Sequence, residues 1–183
     1  LRVRRFVDVS KIDLGVELFG TRYASPIVIA PVGGQQAFHV DGELAVARAA
    51  KTRNQLQILS TSTSTAVEEV IAARGAPVWF QLYTTTRPDI TVKLVKRAEA
   101  AGCPVVAVTV DRAAGRNMET ATRFLRIDTR VCTSCHGPTG SDRSGRPMFS
   151  DIEMEEGTDM TSPSLTWDFV KRLKDMTTMK VLI

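Results

Sequence analysis

The sequence is poor in the features that mark several functional classes. It holds three cysteines in 183 residues, an odd and low count that does not build a disulfide framework. No apolar run reaches the roughly 18 residues that a membrane-crossing helix needs. Basic residues outnumber acidic ones only 24 to 20. Apart from Arg2, Arg4 and Arg5 they are scattered, so no basic stripe fits a nucleic-acid backbone. A G-x-G-x-x-G run is missing after the first apolar strand, which weakens a dinucleotide-binding reading. What remains is an ordinary globular profile, 43% hydrophobic and 24% charged, at a length that suits one domain.

The informative stretch is Phe80-Gln81-Leu82-Tyr83. It ends a short aromatic and β-branched run over 78–82, too short for a helix. A helical pattern follows over about 88–101, and a second apolar run over 105–110 ends on Thr109-Val110-Asp111. Strand, helix, strand at this spacing predicts a βαβ unit with parallel neighbouring strands. Gln81, Tyr83, Thr109 and Asp111 then stand at two strand ends, where ligands of parallel α/β folds bind.

The same rhythm runs through the chain. Residues 1–25 predict a hairpin or cap. Pro26 opens a strand that ends in Pro31-Val32-Gly33-Gly34, where bare backbone leaves room for a ligand. A helix over about 41–52 follows, with Asp41 as its cap and Leu44, Ala45, Ala47 and Ala49 packing. A strand over 56–59 runs into Ser60 and a Ser/Thr stretch to Thr65. Thr65 with Glu68 predicts a capping box, and Gly75 and Gly102 predict helix stops. Residues 112–163, rich in Gly and Pro, predict one long loop. Ser164 is expected to cap a last helix over 165–176, with Trp167, Phe169, Val170 and Leu173 facing the core. A fifth strand begins at Lys180. Residues 26–111 thus hold four βα units, and 164–183 a fourth helix and fifth strand. The count predicts the first five strands of a (β/α)8 TIM barrel, with an open doubly wound sheet as the alternative. Cys132-Thr133-Ser134-Cys135-His136 fits C-x-x-C-H; free loop thiols, a redox pair, and a haem or metal site all remain open. Cys103 reads as a small core hydrophobe.

These segments resemble the FMN-dependent 2-hydroxy-acid oxidase and dehydrogenase family, which includes glycolate oxidase, lactate oxidase, lactate monooxygenase and flavocytochrome b2. The resemblance is carried by Ser25-Pro26-Ile27-Val28-Ile29-Ala30-Pro31, His39-Val40-Asp41-Gly42-Glu43, Leu59-Ser60, Ala66-Val67-Glu68-Glu69-Val70, Phe80-Gln81-Leu82-Tyr83 and Thr109-Val110-Asp111, all in the family's order. It covers nearly the whole chain.

The resemblance implies a TIM barrel that binds FMN and oxidises an L-2-hydroxy acid to a 2-oxo acid. It places the backbone of Pro31, Val32 and Gly33 beside the flavin's reactive edge, and Ser60, Gln81 and Thr109 on the ring. Tyr83 would bind substrate, Asp111 would orient a catalytic histidine, and Arg116 would meet the substrate carboxylate or flavin pocket. The histidine and its partner arginine are expected beyond residue 183, so the chain resembles an interior fragment. The alternatives are a non-catalytic piece that folds only with a complementary segment, and another FMN-binding barrel enzyme such as an isomerase. The expected partners are a small 2-hydroxy acid, the remaining barrel segment and further copies of the chain, a tetramer by resemblance. The expected compartment is the cytoplasm, with peroxisome or mitochondrion as alternatives. Ser62 stands where glycolate oxidase-like members hold a Trp, which predicts an enlarged pocket unless another side chain fills it.

Overall fold

The computed structural model describes residues 6, 8, 10–111, 118–129, 145–153, 158–160, 162 and 164–183. Two short strands, β1 (Val16–Leu18) and β2 (Thr21–Tyr23), form an antiparallel hairpin. Its two-residue turn, Phe19 at φ 49° and Gly20 at φ 81°, lies in the left-handed region, the geometry that matches strand twist in tight hairpins.

The main sheet follows: β3 (Val28–Ile29), β4 (Leu56–Ser60), β5 (Trp79–Leu82), β6 (Val105–Val108) and β7 (Lys180–Leu182). Its spatial order is the chain order, and every pairing is parallel. Helices α1 (Gly42–Arg53), α2 (Val67–Arg74) and α3 (Pro88–Ala100) connect the first four of these strands. Two helices, α4 (Glu119–Leu125) and α5 (Trp167–Met176), lie between β6 and β7.

The period-two alternation of the strands gives each face its own core. Leu56, Trp79 and Val105 pack with Tyr23 of the hairpin, and Val16, Leu18 and Ile58 close around them. Phe19 sits against Trp79 with ring centroids 5.4 Å apart, a contact worth about 0.5–1.5 kcal/mol beyond its buried area. The hairpin therefore covers one end of this face. Leu59, Phe80, Leu82, Val106 and Val108 point the other way, into the helix layer with Val70, Leu94, Val95 and Leu173. Ser60 and Gln81 continue the hairpin-side rows of β4 and β5 two residues beyond Ile58 and Trp79, and Thr109 does so for β6, so all three stand at that face's carboxyl end.

Several local expectations need correction. Asp41 does stand at the start of α1, but its side chain makes no cap; its carboxylate is drawn to Arg48 instead. Ala49 is exposed, and Ala47 and Ala50 carry the buried stripe. The capping box at α2 does not form. Ala66 begins that helix without a side-chain cap, because Thr65 Oγ1 donates to Glu43 and Glu68 pairs with Arg97 at 2.9 Å. Ser164 does not cap α5; Thr166 holds that position. Trp167 is 79% exposed rather than packed in the core; it lines an open apolar hollow with Val110 and Ile183 instead. The 112–163 segment is not one unbroken loop: it carries α4 and a 3-10 turn, Pro147–Phe149, whose Met148 and Phe149 are buried. Gly75 and Gly102 do end α2 and α3 at positive φ. Cys103 is buried, and burial, then the nearby Glu68 charge, pushes its thiol up to about 12.

Candidate active site

Three adjacent strand ends carry one hydrogen-bonded row. Ser60 Oγ donates to Gln81 Oε1 at 3.1 Å, and Gln81 Nε2 donates to Thr109 Oγ1 at 2.9 Å. Ser60 and Gln81 are ladder partners across β4 and β5. Thr109 extends β6 by donating its backbone N–H to Leu82 O at 3.0 Å. Ser60 and Gln81 are almost wholly buried. The backbone around the row is tied as well: Thr61 Oγ1 donates to Gln81 O at 2.6 Å and accepts the N–H of Tyr83 at 3.0 Å. Neighbouring strand ends are thus cross-linked by side chains, and the row cannot move one strand at a time.

Beside the row lies the turn after β3. Gly34 N–H donates to Ser62 O at 2.9 Å. A Cβ on Gly33 would stand 2.8 Å from Ser62 Cβ, so glycine is required there for the close approach of two loops. Pro31 is half-buried, and Val32 and Gly33 are exposed. Gln35 Nε2 donates to Val32 O at 3.2 Å, and Gln35 Oε1 is buried without a partner. An unpaired buried acceptor beside an exposed backbone turn suits a site that receives a ligand with donors of its own.

The anchor of this arrangement is Glu43, whose role is not evident from motif alone. It is fully buried on α1. Its Oε1 accepts the N–H of Ser64 at 2.9 Å and of Gln35 at 3.3 Å. Its Oε2 accepts the hydroxyls of Ser64 at 2.7 Å and Thr65 at 3.1 Å. Burial pushes the carboxyl up, but the Ser64 and Gln35 hydrogen bonds outweigh it and hold it below its ordinary value. A signal was present: Glu43, Ala47 and Ala50 fall at i, i+4 and i+7, the buried stripe of α1. A charge on that stripe points to a buried partner set.

The remaining expected residues are placed less centrally. Tyr83 is half-buried, with its ring against the helix-side core. Asp111 is exposed just beyond β6. Arg116, and the Cys132, Cys135 and His136 cluster, lie outside the described residues. Arg146 is an addition from the structure: its Nη1 donates to Ser62 O, bringing a guanidinium to the mouth of β4.

This geometry, a parallel sheet with a polar row at its carboxyl ends, is matched by known proteins. The model of the FMN-dependent dehydrogenase family covers residues 1–183. The chain belongs to that family. A peroxisomal (S)-2-hydroxy-acid oxidase of Oryza sativa subsp. japonica is 34% identical over 100% of this chain and 50% of its own length. An L-lactate oxidase of Lysinibacillus sphaericus is 33% identical over 99% of the chain and 48% of its own length. A solved mandelate oxidase variant with the C4a-OH-FMN adduct superposes with a TM-score of 0.73 at 30% identity, over 97% of this chain and 47% of that one. The chain therefore spans about half the length of the relatives it matches, and its five parallel strands correspond to about half of their TIM barrel. As an FMN-dependent dehydrogenase family member it has the fold and the family that its motifs imply.

Proposed function

We propose that these residues form the flavin-facing half of an enzyme that oxidises an L-2-hydroxy acid to a 2-oxo acid with FMN. The observation that carries this reading is the Ser60–Gln81–Thr109 row on three neighbouring strand ends, in a chain of the FMN-dependent dehydrogenase family. The donor set fits the polar end of an isoalloxazine ring. Within the row Gln81 uses one of its two Nε2 protons, and Thr109 Oγ1 serves only as acceptor. One amide proton and one hydroxyl proton are left to face a ligand's carbonyl oxygens. In this reading Ser60, Gln81 and Thr109 hold the ring, and the backbone of Pro31, Val32 and Gly33 lies along it. Bound there, FMN would accept the hydride that leaves C2 of the substrate.

The roles of the other residues follow from the same proposal. Tyr83 presents a phenol to the substrate head group, Asp111 orients the base, and Arg116 meets a carboxylate. Proton abstraction is assigned to a histidine outside these 183 residues, in keeping with relatives about twice as long. The rigid cross-linking of β4, β5 and β6 supports precise positioning, since strand ends fix a polar constellation better than free loops do. The names of the relatives favour oxygen as final electron acceptor, and the rice relative's name favours a peroxisomal over a cytoplasmic compartment. A tetramer belongs to the proposal as well. Among the described residues no helix is long and apolar enough to cross a membrane.

The test uses the complete protein that contains these residues. Purified protein should show flavin absorbance near ~450 nm, bleached anaerobically by a 2-hydroxy acid. Gln81→Leu removes both links of the row and should weaken FMN binding by about 1–3 kcal/mol, read by fluorescence titration. Unchanged affinity would remove Gln81 from the flavin site.

A further inference from the structure

The cation at the mouth of β4 has no part in the reaction as proposed so far. Arg146 is half-buried, and its described hydrogen bond goes from Nη1 to the carbonyl of Ser62. That carbonyl also accepts from Gly34, and the N–H of Ser62 donates to Ser60 Oγ at 3.1 Å. The guanidinium thus stands two residues from the first member of the flavin-facing row and against the Gly33-Gly34 turn. Its Nε is buried with no hydrogen-bond partner.

The other described arginines are placed differently: Arg53, Arg126 and Arg172 are exposed. Arg22, Arg48, Arg87, Arg97 and Arg123 each pair with a carboxylate. Arg74 also has an unpartnered Nε, but both of its terminal nitrogens are bound to carbonyls, Pro77 O at 2.5 Å and Gln55 O at 2.8 Å, at the opposite ends of the strands. Arg146 pairs with no carboxylate among the described residues and has donors to spare. A guanidinium carries five N–H donors in a planar fork shaped for a carboxylate. Its terminal nitrogens keep N–H donors beyond the one given to Ser62, and a carboxylate can accept these where an apolar group cannot. Ser62 contributes only a small side chain here, and the guanidinium held on its carbonyl adds a cation at this place.

We propose that Arg146 determines specificity by binding the distal carboxylate of a dicarboxylic 2-hydroxy acid. This rests on the flavin-dependent reading and narrows it to substrates whose C2 substituent ends in an anion. The larger pocket expected from Ser62 is then not an opening for bulky apolar acids, because Arg146 occupies that side.

The experiment compares kcat/KM of the complete protein on L-malate and L-2-hydroxyglutarate with that on L-lactate and L-2-hydroxybutyrate. The wild type should favour the dicarboxylates. Arg146→Met should lower the dicarboxylate-to-monocarboxylate ratio by at least about tenfold, and Arg146→Lys should retain part of it. A wild-type preference for monocarboxylates overturns the proposal. An unmoved ratio does so too, including equal loss on all four acids, which would mean that Arg146 only steadies Ser62 or holds the shared C1 carboxylate. Flavin content and bleaching are read first. A protein that holds no flavin, or whose flavin no 2-hydroxy acid bleaches, refutes the underlying reading and this inference with it; flavin that bleaches while the ratio stays put refutes this inference alone. If Arg146→Met fails to load flavin, wild-type inhibition decides: succinate must compete at least about tenfold more tightly than butyrate, and equal inhibition overturns the proposal.

Discussion

At the scale of single residues, Glu43 fixes more of the site than any expected ligand contact. Its two oxygens receive four hydrogen bonds from Gln35, Ser64 and Thr65. These residues flank the two loops that meet at Gly33 and Ser62. Glu43→Gln keeps the shape but turns one acceptor into a donor facing groups that themselves donate. We expect a loss of about 1–3 kcal/mol in stability, measured by urea unfolding of the complete protein. The folded carboxyl lies below its ordinary 4.5, so the stabilisation is complete above that value and disappears as pH falls through the folded pKa. The gap between wild type and Glu43→Gln should therefore narrow in acid; a gap that widens as pH falls would show that Glu43 is protonated in the fold. The site row itself was legible in the sequence because Ser60, Gln81 and Thr109 each end an apolar strand. The partners of Glu43 were not: the Ser/Thr stretch 60–65 reads as local turn chemistry until α1 is packed beside it.

At the scale of elements, the strands and the first three helices were legible and the caps were not. Strands buried on both faces read as short apolar runs regardless of context. A cap is different, because Thr65 and Asp41 each have a choice of partner: Thr65 turns to Glu43 on another helix, and Asp41 to Arg48 further along its own helix. The 112–163 segment reads as a loop because its Gly and Pro content masks the short helix α4 and the 3-10 turn that buries Met148 and Phe149. One long-range clasp could not be read at all. Glu99, on the last turn of α3, accepts the N–H of Thr178 at 2.6 Å and the hydroxyls of Thr177 and Thr178 at 2.9 and 2.8 Å, while Lys96 approaches at 2.8 Å. Lys96 first, then Thr178, holds this carboxyl down at about 2. The clasp sets the entry angle of β7. Because the folded value lies below the ordinary 4.5, its contribution is present above pH 4.5 and is lost as pH falls towards 2. Glu99→Gln should lower the melting temperature at neutral pH, with the difference from wild type shrinking across that acid window. An equal difference at pH 7 and pH 3 would show that the charge of Glu99 does not hold the turn.

At the scale of the whole molecule, the sheet has two apolar edges. At β3, Ile27 is 68% and Val28 37% exposed; at β7, Leu182 is 39% and Ile183 52% exposed. Beside β7, Val110, Trp167 and Val170 line an apolar hollow that reaches Ile183. Parallel strands are normally covered on both faces and paired on both sides, and unpaired apolar edges recruit other strands. The relatives are about twice as long as this chain, and a matching remainder, the rest of a barrel, would pair with both edges. The 183 residues expressed alone should therefore self-associate, and a separately expressed segment matching the remainder of the barrel should convert them to a one-to-one complex. Size-exclusion chromatography with light scattering reads both outcomes. Val28→Lys and Ile183→Lys should reduce self-association, by placing a charge on each edge, and should weaken the one-to-one complex as well, because both partners use the same strands. If the lysine variants abolish self-association yet leave the complex at full strength, the edges are not where the two halves meet. A chain that stays monomeric alone and ignores its complement would show that the open sheet is stable as it stands.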